Sequence, residues 1–249
     1  MKDGAQYARR IKRLYNRLRR TEGKPEPGEP TEPIEQLIVS VLGVGSSQEH
    51  GRKALRKLLR HTVDINEIRV SSPGEITSVI KDVVPQASER AKALVAALNA
   101  VYHAENEVSL ASLHTMGRRE ARQYLENLGS IDPYSIASIM LWSLGGHAIP
   151  VSDRVLAALR ANDLVAPECE VATVQSFLER HTGAAEGPQF TLLMEKYAGQ
   201  WSRSASSRQQ AKDKPAKSKP AAKRTAKKSK RSTPRSSTSG RTKKTRSRS

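Results

Sequence analysis

Apolar side chains recur along this chain at helical rather than strand spacing. From Pro33, positions Ile34, Leu37, Ile38, Val41 and Leu42 form an i, i+3, i+4, i+7, i+8 stripe, which predicts a buried helix. Residues 5–20 carry Tyr7, Ile11, Leu14, Tyr15 and Leu18 on one side and seven Arg/Lys elsewhere, the pattern of an amphipathic helix. Its basic side is either a solvated face or a surface for phosphates. Between these two helices, residues 21–33 (TEGKPEPGEPTEP) form a Pro/Gly/Glu connector that no helix can cross. Residues 49–60 bury Ala54, Leu55, Leu58 and Leu59 and turn Arg52, Lys53, Arg56, Lys57 and Arg60 outward. A short helix begins at Ser72-Pro73, and a longer one runs from Ser88 through Leu94, Leu98 and Val101. Residues 109–116, 118–128, 171–179 and 188–197 supply four more helical patterns, the last two with Val174, Phe177, Leu178, Phe190, Leu193 and Met194. No stretch keeps the alternation of a strand. The expected class is all-α, with about ten helices joined by short connections.

The densest pattern is residues 125–159, LENLGSIDPYSIASIMLWSLGGHAIPVSDRVLAAL. A helix closes at Gly129, which accepts the left-handed conformation of a helix C-terminus. The next starts at Asp132-Pro133, a carboxylate cap followed by a first-turn proline, and stacks Ile136, Ile139, Met140 and Leu144. A third starts near Ser152 with Val155, Leu156 and Leu159.

Composition narrows the picture. Only 37% of the 249 residues are apolar and 4% aromatic, so the full length is not expected to pack. Residues 203–249 hold 18 Lys/Arg against one acid, Asp213, and therefore carry +17 of the net +18. A segment so poor in large apolar residues cannot offset its ordering entropy and is expected to be disordered. Its run KPAKSKPAAKRTAKKSK, with Lys223, Arg224, Lys227 and Lys228, resembles linker-histone and nucleoid-protein tails, and counterion release makes such a tail bind polyanions in a salt-dependent way. One cysteine, Cys169, excludes an internal disulfide and suggests a reducing compartment. No apolar run approaches the length of a membrane span, and no secretory leader pattern is present. The six histidines show no paired metal-ligand spacing; His147 alone lies near the expected site. The expected organisation is a basic N-terminal helix at 1–20 packing on the core, a linker at 21–33, a helical core at 34–200 and a disordered tail at 201–249.

The 125–159 stretch resembles the helix-hairpin-helix and following loop of the endonuclease III superfamily, the HhH-GPD DNA glycosylases. With its flanking helices the likeness spans residues 33 to roughly 200. In that family the hairpin reads approximately L-P-G-V-G, then a basic residue, then Lys, Ser or Tyr; a catalytic Asp follows an apolar pair further on. Here Leu128-Gly129-Ser130-Ile131-Asp132 overlies the hairpin, Tyr134 the Lys/Ser/Tyr position, and Ile149-Pro150-Val151-Ser152 the apolar pair and Asp. The resemblance implies a two-lobed helical fold in which the first and last helices pair. It implies double-stranded DNA as partner, bound through Gly129, Ser130 and Ile131, and a monomer that is cytoplasmic and associated with the nucleoid, not the membrane.

The departures from the family pattern carry most of the functional content. Where the lyase members have Lys, Tyr134 cannot form a Schiff base, so strand cleavage by that route is not expected; relatives that only excise bases do carry tyrosine here. Ser152 replaces the Asp, and a neutral hydroxyl cannot offset the positive charge that builds on the sugar. Asp153 is the next residue. It is either a shifted catalytic carboxylate or a favourable charge in the first turn of a helix capped by Ser152. Gly45 stands near the family's duplex-wedging glutamine, with Gln48 three residues on as the substitute if the loop differs in shape. Asp132 sets a negative charge near the phosphate position of the hairpin. The four-cysteine cluster of many relatives would begin near Tyr197-Ala198-Gly199, where there is no cysteine, so no cofactor or metal is expected. Two functions follow: a monofunctional base-excision glycosylase with weakened or lost catalysis, or a non-enzymatic architectural DNA-binding protein on a degenerate glycosylase core. An RNA-associated role rests on the tail alone.

Overall fold

The computed structural model describes residues 4–213. They form α1 (Gly4–Thr21), α2 (Pro33–Gly43), α3 (Gln48–Leu58), α4 (Ile65–Val70), α5 (Pro73–Ile80), α6 (Ala87–Glu105), α7 (Arg118–Asn127), α8 (Pro133–Trp142), α9 (Asp153–Ala161), α10 (Val171–His181) and α11 (Gly187–Asp213). Single 3-10 turns occupy Ala111–His114 and Ala184–Glu186. No strand occurs among the described residues.

Two separate hydrophobic cores divide the molecule into lobes. One is built by α2 to α8, with Leu37, Ile38, Leu42, Leu94, Leu98 and Ile139 fully enclosed. The other joins α1 to α9, α10 and α11 through Ile11, Leu14, Leu18, Val155, Leu159, Phe177 and Phe190. The first helix thus docks on the last, where the Tyr15 and Phe190 rings lie 5.3 Å apart. The stripes read from the sequence are the buried faces of their helices: α2 is enclosed on nearly all sides, while α3 buries Ala54, Leu55 and Leu58 and exposes its basic residues. Leu59, expected inward, is instead exposed, because the helix has already ended at its position and the chain turns away. Helix starts are fixed by local chemistry. Ser72 and Glu75 form a reciprocal capping box on α5, which holds the Glu75 carboxyl below its usual range through the Ser72 backbone N–H. Asp132 accepts from Ser135 N at 3.0 Å to cap α8, with Pro133 in the first turn.

Two further findings depart from the sequence expectation. Helix α4 has only six residues and one buried side chain, Ile68, too short a stripe for periodicity to show; Asp64 caps it. The last helix does not stop at residue 200. Helix α11 continues to Asp213, so residues 201–213, expected within a disordered tail, are helical. Lys223, Arg224, Lys227 and Lys228 lie outside the described residues.

The two lobes are tied together by Glu179 of α10. Its carboxylate accepts from Arg122 Nη2 at 2.9 Å and from the backbone N–H of Ile149 at 3.2 Å. Its backbone carbonyl lies 2.8 Å from His147 Nε2, which makes His147 a structural contact of the connecting turn.

Candidate active site between the lobes

The hairpin forms as the sequence predicts. Gly129 has φ +68°, and Ser130 N donates to Leu128 O at 2.8 Å to close the turn. Ile131 is buried and anchors the hairpin in the first lobe, while Gly129 and Ser130 are exposed at its tip. Both carboxylate oxygens of Asp132 are engaged at the start of α8: Oδ1 accepts from Ser135 N and Oδ2 from Ser135 Oγ at 2.6 Å.

In the first turn of α8, Tyr134 is buried where the lobes meet. Burial raises its phenol pKa far above the ordinary value, and the negative charge of Glu195 adds to the rise; the hydrogen bond from Gln48 opposes it. The ring therefore stays neutral at any physiological pH. Gln48 Nε2 donates to Tyr134 Oη at 3.0 Å and to Ser138 Oγ at 3.3 Å, and Gln48 Oε1 accepts from Gln36 Nε2 at 3.0 Å. Gln36 is fully buried in α2. The chain Gln36–Gln48–Tyr134 therefore satisfies most of these polar groups, while Gln36 Oε1 is buried without a partner.

This geometry corrects the wedge expectation for Gln48. All three of its hydrogen bonds run inward, so it is a wall of the inter-lobe cavity. Gly45 is exposed at φ +78°, a conformation that disfavours any residue carrying a side chain, although open space surrounds the place a Cβ would take. The left-handed backbone of the turn from α2 into α3 favours glycine over glutamine there.

Beside Tyr134 lies a cavity of about 250 Å³, lined by Gln48, Trp142, Pro150, Thr191 and Glu195 among others. That is the scale of a single planar heterocycle rather than of an extended ligand. Trp142 and Thr191 border the cavity, while their polar atoms Nε1 and Oγ1 are buried in the surrounding protein without hydrogen-bond partners.

Ser152 and Asp153 separate at this point. Ser152 caps α9, accepting from Val155 N at 3.3 Å, and is only 5% exposed. Its Oγ also donates to Glu195 Oε1 at 2.7 Å. The other oxygen of Glu195 accepts from Arg154 Nη2 at 2.7 Å. Asp153 is exposed and lines a second depression of about 220 Å³, which Tyr134 also borders together with Asp132 and Arg90. Apart from the exposed Glu49, which is paired with Lys53, the carboxylate that shares the larger cavity with Tyr134 is Glu195, which sequence reading did not single out. It sits on α11 next to Met194, on the edge of an amphipathic pattern like any solvated glutamate, and only the packing of α11 against α9 gives it a role.

No protein-family model matches the chain, and no curated protein matches it. Solved structures do. An endonuclease III trapped covalently on DNA in an estranged-adenine complex superposes with a TM-score of 0.58 at 15% identity, over 76% of this chain and 84% of that one. The 8-oxoguanine glycosylase/lyase of Clostridium acetobutylicum, bound to DNA with cytosine opposite 8-oxoG, gives 0.56 at 16% identity, over 82% and 71%. A thermostable thymine-DNA glycosylase gives 0.55 at 16%, over 78% and 87%. The chain thus has the two-lobed helical fold of the helix-hairpin-helix DNA glycosylases.

Proposed function

We propose that this protein binds duplex DNA, extrudes a nucleotide into the cavity beside Tyr134, and hydrolyses its base–sugar bond without cutting the strand. The observation that carries the reading is the cavity itself. It lies at the seam of the two lobes, is of nucleobase scale, and is walled by a neutral tyrosine and the Glu195 carboxylate. Extrusion is required because the glycosidic bond is inaccessible inside a duplex. A neutral phenol held by Gln48 can line the base or the sugar but cannot act as an amine nucleophile, and Lys196 at the cavity edge is paired with Glu22, so no covalent imine forms and the abasic product keeps its backbone. The exposed hairpin at Gly129 and Ser130, the basic outer face of α1 and the Lys/Arg-rich tail supply the phosphate contacts.

The test is single-turnover base release by the full-length protein from duplexes carrying mismatched, deaminated, oxidised and alkylated bases. The expected result is release of at least one base, strand scission only after alkali, and no borohydride-trapped adduct. Salt-dependent binding with no release from any duplex would instead support an architectural DNA-binding role.

The hairpin gives a second expectation. Asp132→Asn retains a good helix cap and removes a negative charge from the phosphate approach. Duplex affinity should rise by up to about fivefold at low salt, since single exposed charge interactions are worth roughly 0–1 kcal/mol, with a small fall in Tm because Asn has no second acceptor oxygen for Ser135 Oγ. Unchanged or weaker binding in a titration against the same duplex would show that DNA does not approach this hairpin.

A further inference from the structure

We propose that Glu195 is the catalytic carboxylate of this site, having taken over from α11 the role that Ser152 cannot perform from α9. This rests on the glycosylase reading above. Ser152 occupies the start of α9, but its hydroxyl carries no charge and is turned to Glu195, donating to Oε1 at 2.7 Å. Arg154, in the first turn of the same helix, holds Oε2 at 2.7 Å. Two donors from α9 therefore fix a carboxylate of α11 beside the position where the chain lacks one. The Glu195 side chain is 16% exposed, enough to meet a ligand while shielded from bulk water. It lines the same cavity as Tyr134, and its charge is felt at the Tyr134 phenol. Asp153 is exposed and lines the other depression, which Tyr134 and Ser152 also border.

The reaction assigned to it balances as hydrolysis. The C1′–N bond breaks with its electron pair leaving on the base nitrogen, and the positive charge left on the sugar is stabilised by the Glu195 carboxylate. A water oxygen bonds to C1′. The proton it sheds passes to Glu195 and then to the departed base, which regenerates the carboxylate and leaves free base and an abasic deoxyribose. Ser152 and Arg154 are positioning residues: they fix which way the carboxylate faces.

Two readouts test this with the full-length protein. The first is the single-turnover release rate on the best duplex of the panel. Glu195→Gln keeps the shape and a hydrogen-bonding oxygen but removes the charge, and should slow release by about 10²- to 10⁴-fold. Ser152→Ala should slow it by a smaller factor and alter its pH profile. The second readout needs no turnover. Duplexes carrying a cationic pyrrolidine abasic analogue or its neutral tetrahydrofuran counterpart are compared by titration. Wild type should prefer the cationic duplex by about tenfold, and Glu195→Gln should bring the ratio of the two affinities close to one. Release that survives Glu195→Gln and disappears with Asp153→Asn would overturn the assignment and move the role to Asp153. A wild type without cationic preference would overturn it too. Absence of release from every duplex, with the cationic preference present and dependent on Glu195, would refute the glycosylase reading while leaving the sugar-facing carboxylate in place.

Discussion

Gly51→Ala should destabilise the protein by about 3 kcal/mol or more, the upper part of the range for overpacking a filled core. A methyl group at this position would sit 2.0 Å from the backbone oxygen of Val39 and 2.9 Å from its carbonyl carbon. Those are main-chain atoms of α2 and cannot rotate aside, so α2 and α3 must separate. Helix α2 has little room to move, because it also packs against α6 and α8 with Leu37, Ile38 and Leu42 fully enclosed. At roughly 2–4 °C per kcal/mol for a domain of this size, the loss corresponds to a fall in Tm of about 6–12 °C. Functional damage should accompany it, since the Gln36–Gln48–Tyr134 chain crosses the same α2–α3 contact. Gly28→Ala serves as the control: nothing lies within 4 Å of its added Cβ, and its stability should stay within about 0.5 kcal/mol of wild type. A Gly51→Ala protein melting within about 2 °C of wild type, less than 1 kcal/mol at that conversion, would disprove the close packing of these helices.

Restoring the family's residue at position 152 should also be costly. Ser152→Asp retains a good helix cap, yet it sets a second carboxylate against Glu195 Oε1, where the hydroxyl now donates at 2.7 Å. Two like charges about 4 Å apart repel by on the order of 4 kcal/mol at an effective dielectric near 20, and Arg154 offsets part of this. A loss of about 2–3 kcal/mol at neutral pH is the expected result. The pair relieves the repulsion by keeping a proton, so its folded-state pKa lies above the unfolded carboxylate value. Stability relative to wild type is then retained below that unfolded value and lost as pH rises through the folded one. Adding Glu195→Gln should recover most of the loss, a non-additivity that marks direct coupling. Thermal melts of the four proteins between acid and neutral pH check this. A Ser152→Asp variant as stable as wild type at neutral pH, or one not rescued by Glu195→Gln, would mean that the two side chains are not in contact.

The two predictions mark where sequence reading reaches and where it ends. The start of α8 is legible because Asp132 and Pro133 act on backbone groups within the same turn, and the bend at Gly129 because a left-handed helix end favours glycine. The two lobes are implied by a resemblance whose order and spacing outlast its individual letters. Helix α4 is not legible, since six residues with a single buried side chain give no period. The end of α11 is misplaced by composition: a segment poor in large apolar residues reads as disordered from residue 201, while the helix runs on to Asp213.

The active-site candidates divide along the same line. Tyr134 is found from its place in the hairpin motif, and the end of the Ser152 loop from its distance along the chain. Glu195, Gln36 and the inward turn of Gln48 are not, because each acquires its role from a helix distant in sequence or from a partner on another helix: Glu195 from Ser152 and Arg154 on α9, Gln48 from Tyr134 on α8. By itself the sequence determined which faces are buried, where most helices begin, where the positive charge lies, and that neither a lyase lysine at position 134 nor a four-cysteine cluster is possible. The tertiary structure alone decided that Glu195 lines one cavity with Tyr134 and Asp153 the neighbouring depression. Periodicity and capping are properties of neighbouring residues along one helix, whereas a catalytic pair is a distance between two helices, fixed only when both hydrophobic faces have packed.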